Sequence, residues 1–534
     1  MMFAARSAAG SALRCLPLQR IFRWRCSTAS KRMASASNKE GLQPTVAVIS
    51  VLRSRANSSP VPFRLDLVLL SGMIGLVGCV RFEPKPLTAP ANLVALEARS
   101  ISDPELGELL LASSQVTEWP PQTWDLRMLT LAALYFHPDL EVARAHWAVV
   151  DAGRRTAGER PNPNLGVVPA YNFTTPPDVI TPWILRMELN FTLETAGKRG
   201  YRIAQSGHLS EAARFDIATV AWQVRSRVRQ SLLDLYGAVQ LEALLHRRLV
   251  IEASIVALAE RQLEAGAISP IELTRERLEL DAVRLALQDA AHRRAEVRVL
   301  LADALGVRVD SLEDIALDFT AFTGDPPDVP PAEAQRQALL NRPDVLSALS
   351  AYDATQSALQ LEIAMQYPDI HLGPGYEMDQ SDQKWGVLVG LTLPILNRNR
   401  GPIGEAAARR EKAAAEFNAV QTAAIGQLDR ALAVYRGAVE SLATARSILS
   451  DRLEEQRSTE VRYAAGEISR IELNAVQKQV VESELTVLDA GLRSQEALGR
   501  LEDAMQSPAG LPDWVLAEPA GSPQATRSGE RAGT

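Results

Sequence analysis

The chain has 534 residues, a formal net charge of −7 and 46% apolar residues. It is long enough for several domain-sized cores, but no apolar run reaches the ~20 residues that a membrane-spanning helix needs. The acidic balance, with no basic stripe interleaved with aromatic residues after residue 64, argues against a nucleic-acid partner.

Residues 1–78 are predicted to be an N-terminal extension that ends in a lipoprotein-type signal. Three arginines precede an apolar run that begins at Leu67 and ends in Leu76-Val77-Gly78-Cys79. A charged region before a short apolar one is typical of a secretory signal, and the last four residues resemble a bacterial lipobox. This pattern predicts cleavage before Cys79 and acylation of its thiol, and Val80 at the next position favours the outer membrane.

Two alternatives remain for this region. Cys79 can be a buried cysteine that happens to follow an apolar segment, and the Arg-rich and Ser-rich start also resembles a mitochondrial transit peptide. Asp66 at the edge of the apolar run counts against the lipoprotein signal. The long extension does too, unless translation starts downstream.

Two copies of one domain-sized unit follow the signal. Their period of about 200 residues is far longer than that of a solenoid, so it indicates a duplication. The matching segments are 136–140 with 341–345, Trp183 with Trp385, 237–239 with 437–439, and 265–273 with 465–473. The predicted organisation after residue 78 is a linker segment over 79–123, a first repeat over 124–309, a linker over 310–332, a second repeat over 333–506 and a disordered tail over 507–534.

Each copy is predicted to contain a helix, two strands, a much longer helix and a further helix. The predicted bounds are 125–159, 164–173, 183–193, 198–263 and 270–305 in the first copy, and 333–366, 369–378, 385–394, 401–463 and 470–506 in the second. At 1.5 Å per residue each long helix spans roughly 100 Å. The two shorter helices together nearly match that length, so we expect them to lie end to end beside it.

The strands alternate between apolar and polar residues in the way of a membrane strand. From Trp183 to Leu193 the odd-numbered residues are apolar, while Arg186, Glu188 and Asn190 lie on the other face. About nine to eleven residues suffice for a tilted transmembrane strand, which makes these three polar residues candidates for facing a lumen. Four half-buried edge strands of a soluble sheet are the alternative.

One proline interrupts the first strand of each copy. Pro169 and Pro374 cannot donate a ladder hydrogen bond, and we interpret them as bends or bulges.

Four such strands cannot close into a barrel. Open strand edges in hydrocarbon leave backbone groups unpaired at several kcal/mol each. A membrane position therefore requires partner subunits: a dimer supplies eight strands with a packed interior, and a trimer supplies twelve with room for a channel.

The same turn is predicted after each long helix. Gly266 can supply a left-handed C-terminal cap, and Ser269 is followed by Glu272 at the spacing of a capping box. Gly466 and Ser469 repeat the pattern in the second copy. These signals predict a tight helical hairpin in each repeat.

With these features, residues 120–506 resemble the outer-membrane factor family of efflux channels, the TolC-like proteins. The resemblance rests on the duplication, the paired strand hairpins, the long helices and the Gly-x-Ile-Ser-x-Ile-Glu-Leu turns. The segment Glu194-Thr195-Ala196-Gly197-Lys198-Arg199-Gly200-Tyr201 looks most like the CzcC-type branch, which is associated with heavy-metal efflux.

The resemblance implies a mainly α fold with a small β part. Long α-helical hairpins would form a periplasmic tunnel, and four β-strands per chain would contribute to a trimeric outer-membrane β-barrel. Residues 80–123 and the linker around 310–331 would lie around the waist of this tunnel.

The resemblance also implies the partners and the function. Gly266, Ser269, Gly466 and Ser469 would lie at the periplasmic hairpin tips, where a membrane-fusion adaptor docks. The expected partners are two further copies in a homotrimer, this adaptor, an inner-membrane pump of the RND type, and outer-membrane lipid. The expected function is that of a passive conduit in a tripartite efflux system, with heavy-metal cations as a candidate cargo, in the bacterial outer membrane and extending into the periplasm.

No residue cluster points to an enzyme. The six histidines are scattered singly, and the sequence contains no HExxH motif, Walker loop or cysteine pair. We therefore predict no catalytic, cofactor-binding or metal-binding residues. The alternative function is a lipid-anchored periplasmic coiled-coil adaptor or scaffold without a pore, but such a protein would have one helical hairpin flanked by small β-domains, which the duplication contradicts.

Overall fold

A computed structural model describes residues 81–113, 118–174, 181–380, 382–506 and 513–516. The chain divides into two compact units, Met1–Lys85 and Pro86–Thr534. In the first unit, the described residues 81–85 are exposed and lack regular secondary structure. The predicted lipidation site, Cys79, lies outside the described residues.

In its described part, the second unit consists mainly of helices, with six short or medium strands. The helices are α1 (Ala89–Glu97), α2 (Pro104–Ser113), α3 (Leu126–Phe136), α4 (Pro138–Gly158), α5 (Lys198–Glu264), α6 (Pro270–Leu305), α7 (Thr320–Thr323), α8 (Ala332–Asn341), α9 (Pro343–Ala364), α10 (Arg400–Ala464) and α11 (Arg470–Met505). The strands are β1 (Thr123–Trp124), β2 (Asn164–Tyr171), β3 (Trp183–Leu193), β4 (Ala316–Leu317), β5 (Ile370–Asp379) and β6 (Asp382–Leu391).

The first helix of each copy was predicted as one element, and the structure breaks it in two. The breaks fall at His137 and Arg342, whose ψ angles of 124° and 130° are extended. Each residue precedes a proline, and the proline ring disfavours the helical region for the residue before it. Pro138 and Pro343 then begin the next helix, where a missing N–H costs nothing.

The last strand also differs from its predicted bounds of 385–394. It pairs with β5 in one register, from Ile370 opposite Leu391 to Asp379 opposite Asp382. Only residues 380 and 381 separate the two strands in sequence, and the ladder begins three residues earlier than the alternation of side chains indicated.

The two prolines were interpreted as bends or bulges, and the bulge was wrong. β2 and β3 keep one register over their whole length, with Pro169 opposite Leu185. Pro374 pairs in register with Val387 of β6. On the β3 side, the pairing of β5 is interrupted beside Pro374 and then resumes in the same register. Neither strand contains the extra residue that defines a bulge.

The shorter helices lie along the long helix of their copy, as predicted. Trp147 of α4 donates to Ser210 Oγ in the first part of α5 at 3.2 Å, and Arg294 of α6 pairs with Glu242 further along it at 2.9 Å. In the second copy Asn399, next to α10, donates to the backbone of Glu362 in α9. α5 also packs against α9 and α11, which makes it the central helix of the chain.

The largest apolar core surrounds the middle of α5. Ile217, Val228 and Leu232 are fully buried there. The two linkers pack into the same core, because Ile101 and Leu312 belong to it and β1 pairs in parallel with β4. Segments that lie far apart in the sequence therefore share this core.

The tail predicted to be disordered contains one ordered turn. Asp513–Leu516 forms a 3-10 turn in which Val515 is fully buried in the same core. Arg144 of α4 donates to the carbonyl oxygens of Trp514 and Val515 at 3.4 and 3.2 Å. The apolar side chains of Trp514 and Val515 explain why this segment packs although the rest of the tail is rich in Gly, Pro and polar residues.

Candidate functional site

The strands β2, β3, β5 and β6 form one antiparallel sheet in the order β2-β3-β5-β6. Its register places most of the apolar residues of the four strands on a single face. The exposed apolar residues of this face are Leu165, Val167, Tyr171, Trp183, Met187, Phe191, Leu193, Trp385, Val387, Val389 and Leu391, and each exposes between 37% and 81% of its surface. A continuous apolar surface of this kind marks a membrane or protein contact.

Aromatic pairs lie on this face towards the end that carries the two hairpin turns. The rings of Tyr171 and Trp183 are 5.1 Å apart, and those of Tyr376 and Trp385 are 4.9 Å apart. Outer-membrane barrels carry such aromatic residues where the hydrocarbon meets the headgroups.

The three candidate lumen residues, Arg186, Glu188 and Asn190, share the opposite face. Arg186 donates to both carboxylate oxygens of Glu377, at 3.2 and 3.1 Å. Sequence reasoning missed Glu377, because only the pairing of β3 with β5 brings it beside Arg186. The structure brings the three candidates together, and their position towards a lumen stays a prediction.

Both edges of the sheet are open in the described part of the chain. β2 pairs only with β3, and β6 pairs only with β5. The outer backbone groups of these two strands therefore have no strand neighbour among the described residues.

Below the sheet, a buried ion pair joins the two repeats. Lys198 at the start of α5 is 3% exposed and donates to Asp369 Oδ1 at 2.7 Å and to the Tyr367 carbonyl oxygen at 2.8 Å. The Thr195 amide donates to the same carboxylate at 3.0 Å. Burial raises the pKa of Asp369, but the hydrogen bonds from Lys198 and Thr195 outweigh it and hold this pKa below its usual value. The 194–201 segment thus connects the sheet to the helices of both copies.

The two helical hairpins have the predicted turns. Gly266 and Gly466 have φ angles of 72° and 74°, which glycine adopts without strain. Ser269 Oγ accepts from the Glu272 amide at 3.3 Å, and Glu272 accepts from the Ser269 amide at 2.6 Å. These hydrogen bonds lower the pKa of Glu272.

The same capping box forms around Ser469. The cap predictions are therefore confirmed, while the adaptor contact of Gly266, Ser269, Gly466 and Ser469 stays a prediction.

The structure also reveals a buried charge cluster that the sequence does not signal. Glu252 of α5 is fully buried, and Lys478 Nζ of α11 lies 2.8 Å from its carboxylate. Arg248 Nε lies 3.7 Å from the same group. In the sequence Glu252 is one of many charged helix residues, and only the packing of α11 on α5 singles it out.

The described ranges contain no helix that is both long and apolar enough to cross a membrane. Within the same ranges, no group of three or more His, Cys, Asp and Glu side chains is arranged to hold a metal ion.

Comparison with known families decides the class of protein. Residues 131–307 and 334–506 match the family described as outer membrane efflux protein. The chain belongs to this family. The match falls on the two predicted repeats, and it confirms the expected class, an efflux channel subunit of the outer membrane.

Two curated relatives are a metal-resistance protein and a probable outer membrane lipoprotein. The cobalt-zinc-cadmium resistance protein CzcC of Cupriavidus metallidurans is 25% identical over 322 residues, which cover 59% of this chain and 74% of CzcC. The probable outer membrane lipoprotein SilC of Salmonella typhimurium is 24% identical over 459 residues, which cover 80% of this chain and 95% of SilC.

Solved structures show the same fold. CusC superposes with a TM-score of 0.60 at 18% identity, over 80% of this chain and 98% of CusC. The MtrE outer membrane channel of Neisseria gonorrhoeae superposes with a TM-score of 0.57 at 16% identity, over 72% of this chain and 89% of MtrE. The predicted fold, long helical hairpins with a small sheet that belongs to a barrel, is confirmed.

Proposed function

We propose that three copies of this chain form the outer-membrane channel of a tripartite heavy-metal efflux system. The observation that carries the proposal is the sheet, which combines a continuous apolar face with two open edges. Unpaired backbone groups in hydrocarbon cost several kcal/mol each, so the edges need strand neighbours. β6 of one copy beside β2 of the next closes a twelve-stranded barrel that is wide enough for a channel.

The helices extend this channel away from the membrane. α5 has 67 residues and α10 has 65, and each spans roughly 100 Å at 1.5 Å per residue. The turns at Gly266 and Gly466 lie at the far ends of these helices, and there they meet a membrane-fusion adaptor that links the channel to an inner-membrane pump of the RND type. Arg186, Glu188 and Asn190 face the lumen of the barrel.

Heavy-metal cations are the proposed cargo. One relative is named for cobalt, zinc and cadmium resistance, and the 194–201 segment resembles the same branch. The channel is a passive conduit, and the pump supplies the energy. Cys79 anchors the chain by lipid, in line with the name of the relative SilC.

Two neighbouring residues of β6 test the barrel. Val387 is 67% exposed on the apolar face, and Leu388 is 58% exposed on the opposite face. Lysine near the middle of the lipid face of a barrel costs about 2–4 kcal/mol per chain. We expect Val387→Lys to abolish the trimer in outer-membrane fractions, and Leu388→Lys to keep it and alter its conductance in planar bilayers.

The matched pair makes the result decisive. Equal loss of the trimer in both variants, or a soluble monomeric wild type, contradicts the barrel. Palmitate labelling of the same fractions tests the anchor, since the label should disappear in Cys79→Ser. Export is measured in cells whose own channel gene has been deleted, as the amounts of cobalt, zinc and cadmium that the cells retain with and without a copy of the gene for this chain.

A further inference from the structure

The loop between β6 and α10 contains exposed apolar residues and follows directly on the apolar face of the sheet. We refer to residues 392–399 as the junction loop. Its Leu393, Ile395 and Leu396 are 64%, 70% and 97% exposed. Leu393 and Ile395 continue the odd-numbered apolar series of β6 beyond the last strand residue, Leu391. Exposed apolar side chains thus follow directly in the chain on the last strand of the apolar face.

Two arginines follow this apolar segment at once. Arg398 and Arg400 are both exposed, and neither forms an ion pair with any described residue. Arg398 has a φ of 50°, in the left-handed region that a non-glycine residue enters at a cost. The loop therefore places two arginines without an ion-pair partner among the described residues beside exposed apolar side chains.

Hydrogen bonds hold the junction loop at the level where the helices meet the sheet. Asn399 Nδ2 donates to the Glu362 carbonyl oxygen at 2.8 Å, which ties the loop to the end of α9. Arg199 Nε donates to the Gly158 carbonyl oxygen at 2.6 Å, which ties the start of α5 to the end of α4. The ends of the four helices that adjoin the sheet are thus held close to its lower rim.

The first copy adds positive charge at the same rim. Arg155, Arg160 and Arg199 are exposed and form no ion pair with a described residue. Most carboxylates nearby are already engaged, Glu194 with Arg202 and Asp369 with Lys198. Glu159 and Glu362 lack an ion pair in the described part of the chain, so they offset part of this charge and leave an excess of arginine.

We propose that the junction loop is a membrane-interface anchor that binds anionic phospholipid in the periplasmic leaflet of the outer membrane. Ile395 and Leu396 enter the hydrocarbon beside the sheet, and Arg398 and Arg400 bind the lipid phosphates. Guanidinium groups match phosphate geometry and form charge-assisted hydrogen bonds with it. Basic residues next to apolar anchors bind anionic membrane surfaces in this way. This inference rests on the proposed barrel, because the barrel sets the level of the membrane.

Native mass spectrometry of the full-length protein tests the proposal. The protein is extracted in mild detergent and offered equal amounts of phosphatidylglycerol, which is anionic, and phosphatidylethanolamine, which is zwitterionic. Each juxtamembrane arginine contributes roughly fivefold to the binding of an anionic lipid, so two contribute about 25-fold. We expect the ratio of bound phosphatidylglycerol to bound phosphatidylethanolamine to fall about 25-fold in the double variant Arg398→Gln with Arg400→Gln.

The control has the same change of charge elsewhere on α10. Arg430 and Arg436 are exposed and form no ion pair with a described residue. They lie about 30 residues further along the helix, which is roughly 45 Å from the junction loop. We expect Arg430→Gln with Arg436→Gln to keep the full preference for phosphatidylglycerol.

The outcomes separate this proposal from the proposed function. A trimeric, conducting Arg398→Gln/Arg400→Gln variant with unchanged lipid preference overturns the lipid site and leaves the channel intact. An equal loss in the control variant overturns the site as well, since it shows only an effect of net charge. A wild type that forms no trimer overturns the proposed function itself.

Discussion

The two long helices have almost the same length and very different surroundings. α5 has 67 residues, of which twenty are buried, while α10 has 65, of which ten are buried. α5 lies between α4 and α6 on one side and α9 and α11 on the other, whereas α10 packs mainly on α9 and α11. The duplicated sequence thus gives two helices of nearly equal length. The number of helices packed against each one decides how many of its residues are buried.

The apolar cores of the two copies differ in the same way. The cluster around α5 contains 29 buried residues, because both linkers and the turn at Val515 pack into it. The cluster around Leu428 and Tyr435 of α10 contains seven. The thinner packing of the second copy is consistent with the proposed trimer, in which a neighbouring subunit covers this side of the protomer.

The largest expected effect comes from a matched pair of leucines. Leu232 and Leu432 occupy the same position in the two repeats and are 0% and 7% exposed. A buried Leu→Ala change costs about 2–5 kcal/mol, depending on how well the cavity can collapse. We expect about 4 kcal/mol for Leu232→Ala and about 2 kcal/mol for Leu432→Ala, measured as shifts of the urea midpoint of the purified protein. Equal shifts would show that the two copies are packed alike.

The junction below the sheet gives the next contrast. Lys198 and Asn399 stand next to the starts of α5 and α10, and only Lys198 forms a buried ion pair. Lys198→Met leaves Asp369 without its cation, although this carboxylate is 27% exposed and keeps the Thr195 amide. We expect a loss of about 2–3 kcal/mol, below the full cost of breaking a buried pair. Asn399→Gly keeps the left-handed backbone, loses hydrogen bonds to Glu362 and should cost about 1 kcal/mol.

The pH dependence of unfolding identifies this ion pair. The pKa of Asp369 lies below its ordinary value of 3.8 in the folded protein. A carboxylate with a depressed pKa stabilises the fold above its unfolded pKa, and the contribution disappears as the pH falls through the folded pKa. The difference in stability between the wild type and Lys198→Met should therefore shrink below about pH 4. A difference that stays constant down to pH 2 would show that packing, and not charge, is lost.

The smallest expected difference lies at the hairpin tips. Ser269→Ala and Ser469→Ala each remove an N-cap, which costs about 1 kcal/mol. Pro270 fixes the backbone of the first helical residue in the first copy, whereas Arg470 leaves it free in the second. We expect faster amide hydrogen exchange in both tips and a larger increase around Ser469. A larger increase around Ser269 would mean that the proline does not stabilise its turn.

Particular residues show where sequence reasoning succeeded. The caps at Gly266 and Ser269 and the bounds of β3 were predictable, because they depend on local backbone preferences and on alternation along one strand. The break before Pro138 was missed although its cause is local, since the helical pattern continues on both sides of it. The ordered turn at Val515 was missed because the tail as a whole is rich in Gly, Pro and polar residues.

The paired charges were beyond sequence reasoning. Arg186 and Glu377 are 191 positions apart, and Glu252 and Lys478 are separated by more than two hundred. Nothing in either member of a pair distinguishes it from the many other charged residues of the chain. Long-range pairs need the register of a sheet or the contact of two helices, and neither follows from local pattern.

The sequence by itself determined the duplication, the lengths of the two long helices and the apolar face of each strand, because these depend on periodicity along the chain. Only the tertiary structure decided that the four strands form one sheet with two open edges, and that α5 is central while α10 is peripheral. The physical reason is that periodicity fixes which face of an element is apolar, while its neighbours depend on how all the apolar faces are buried together.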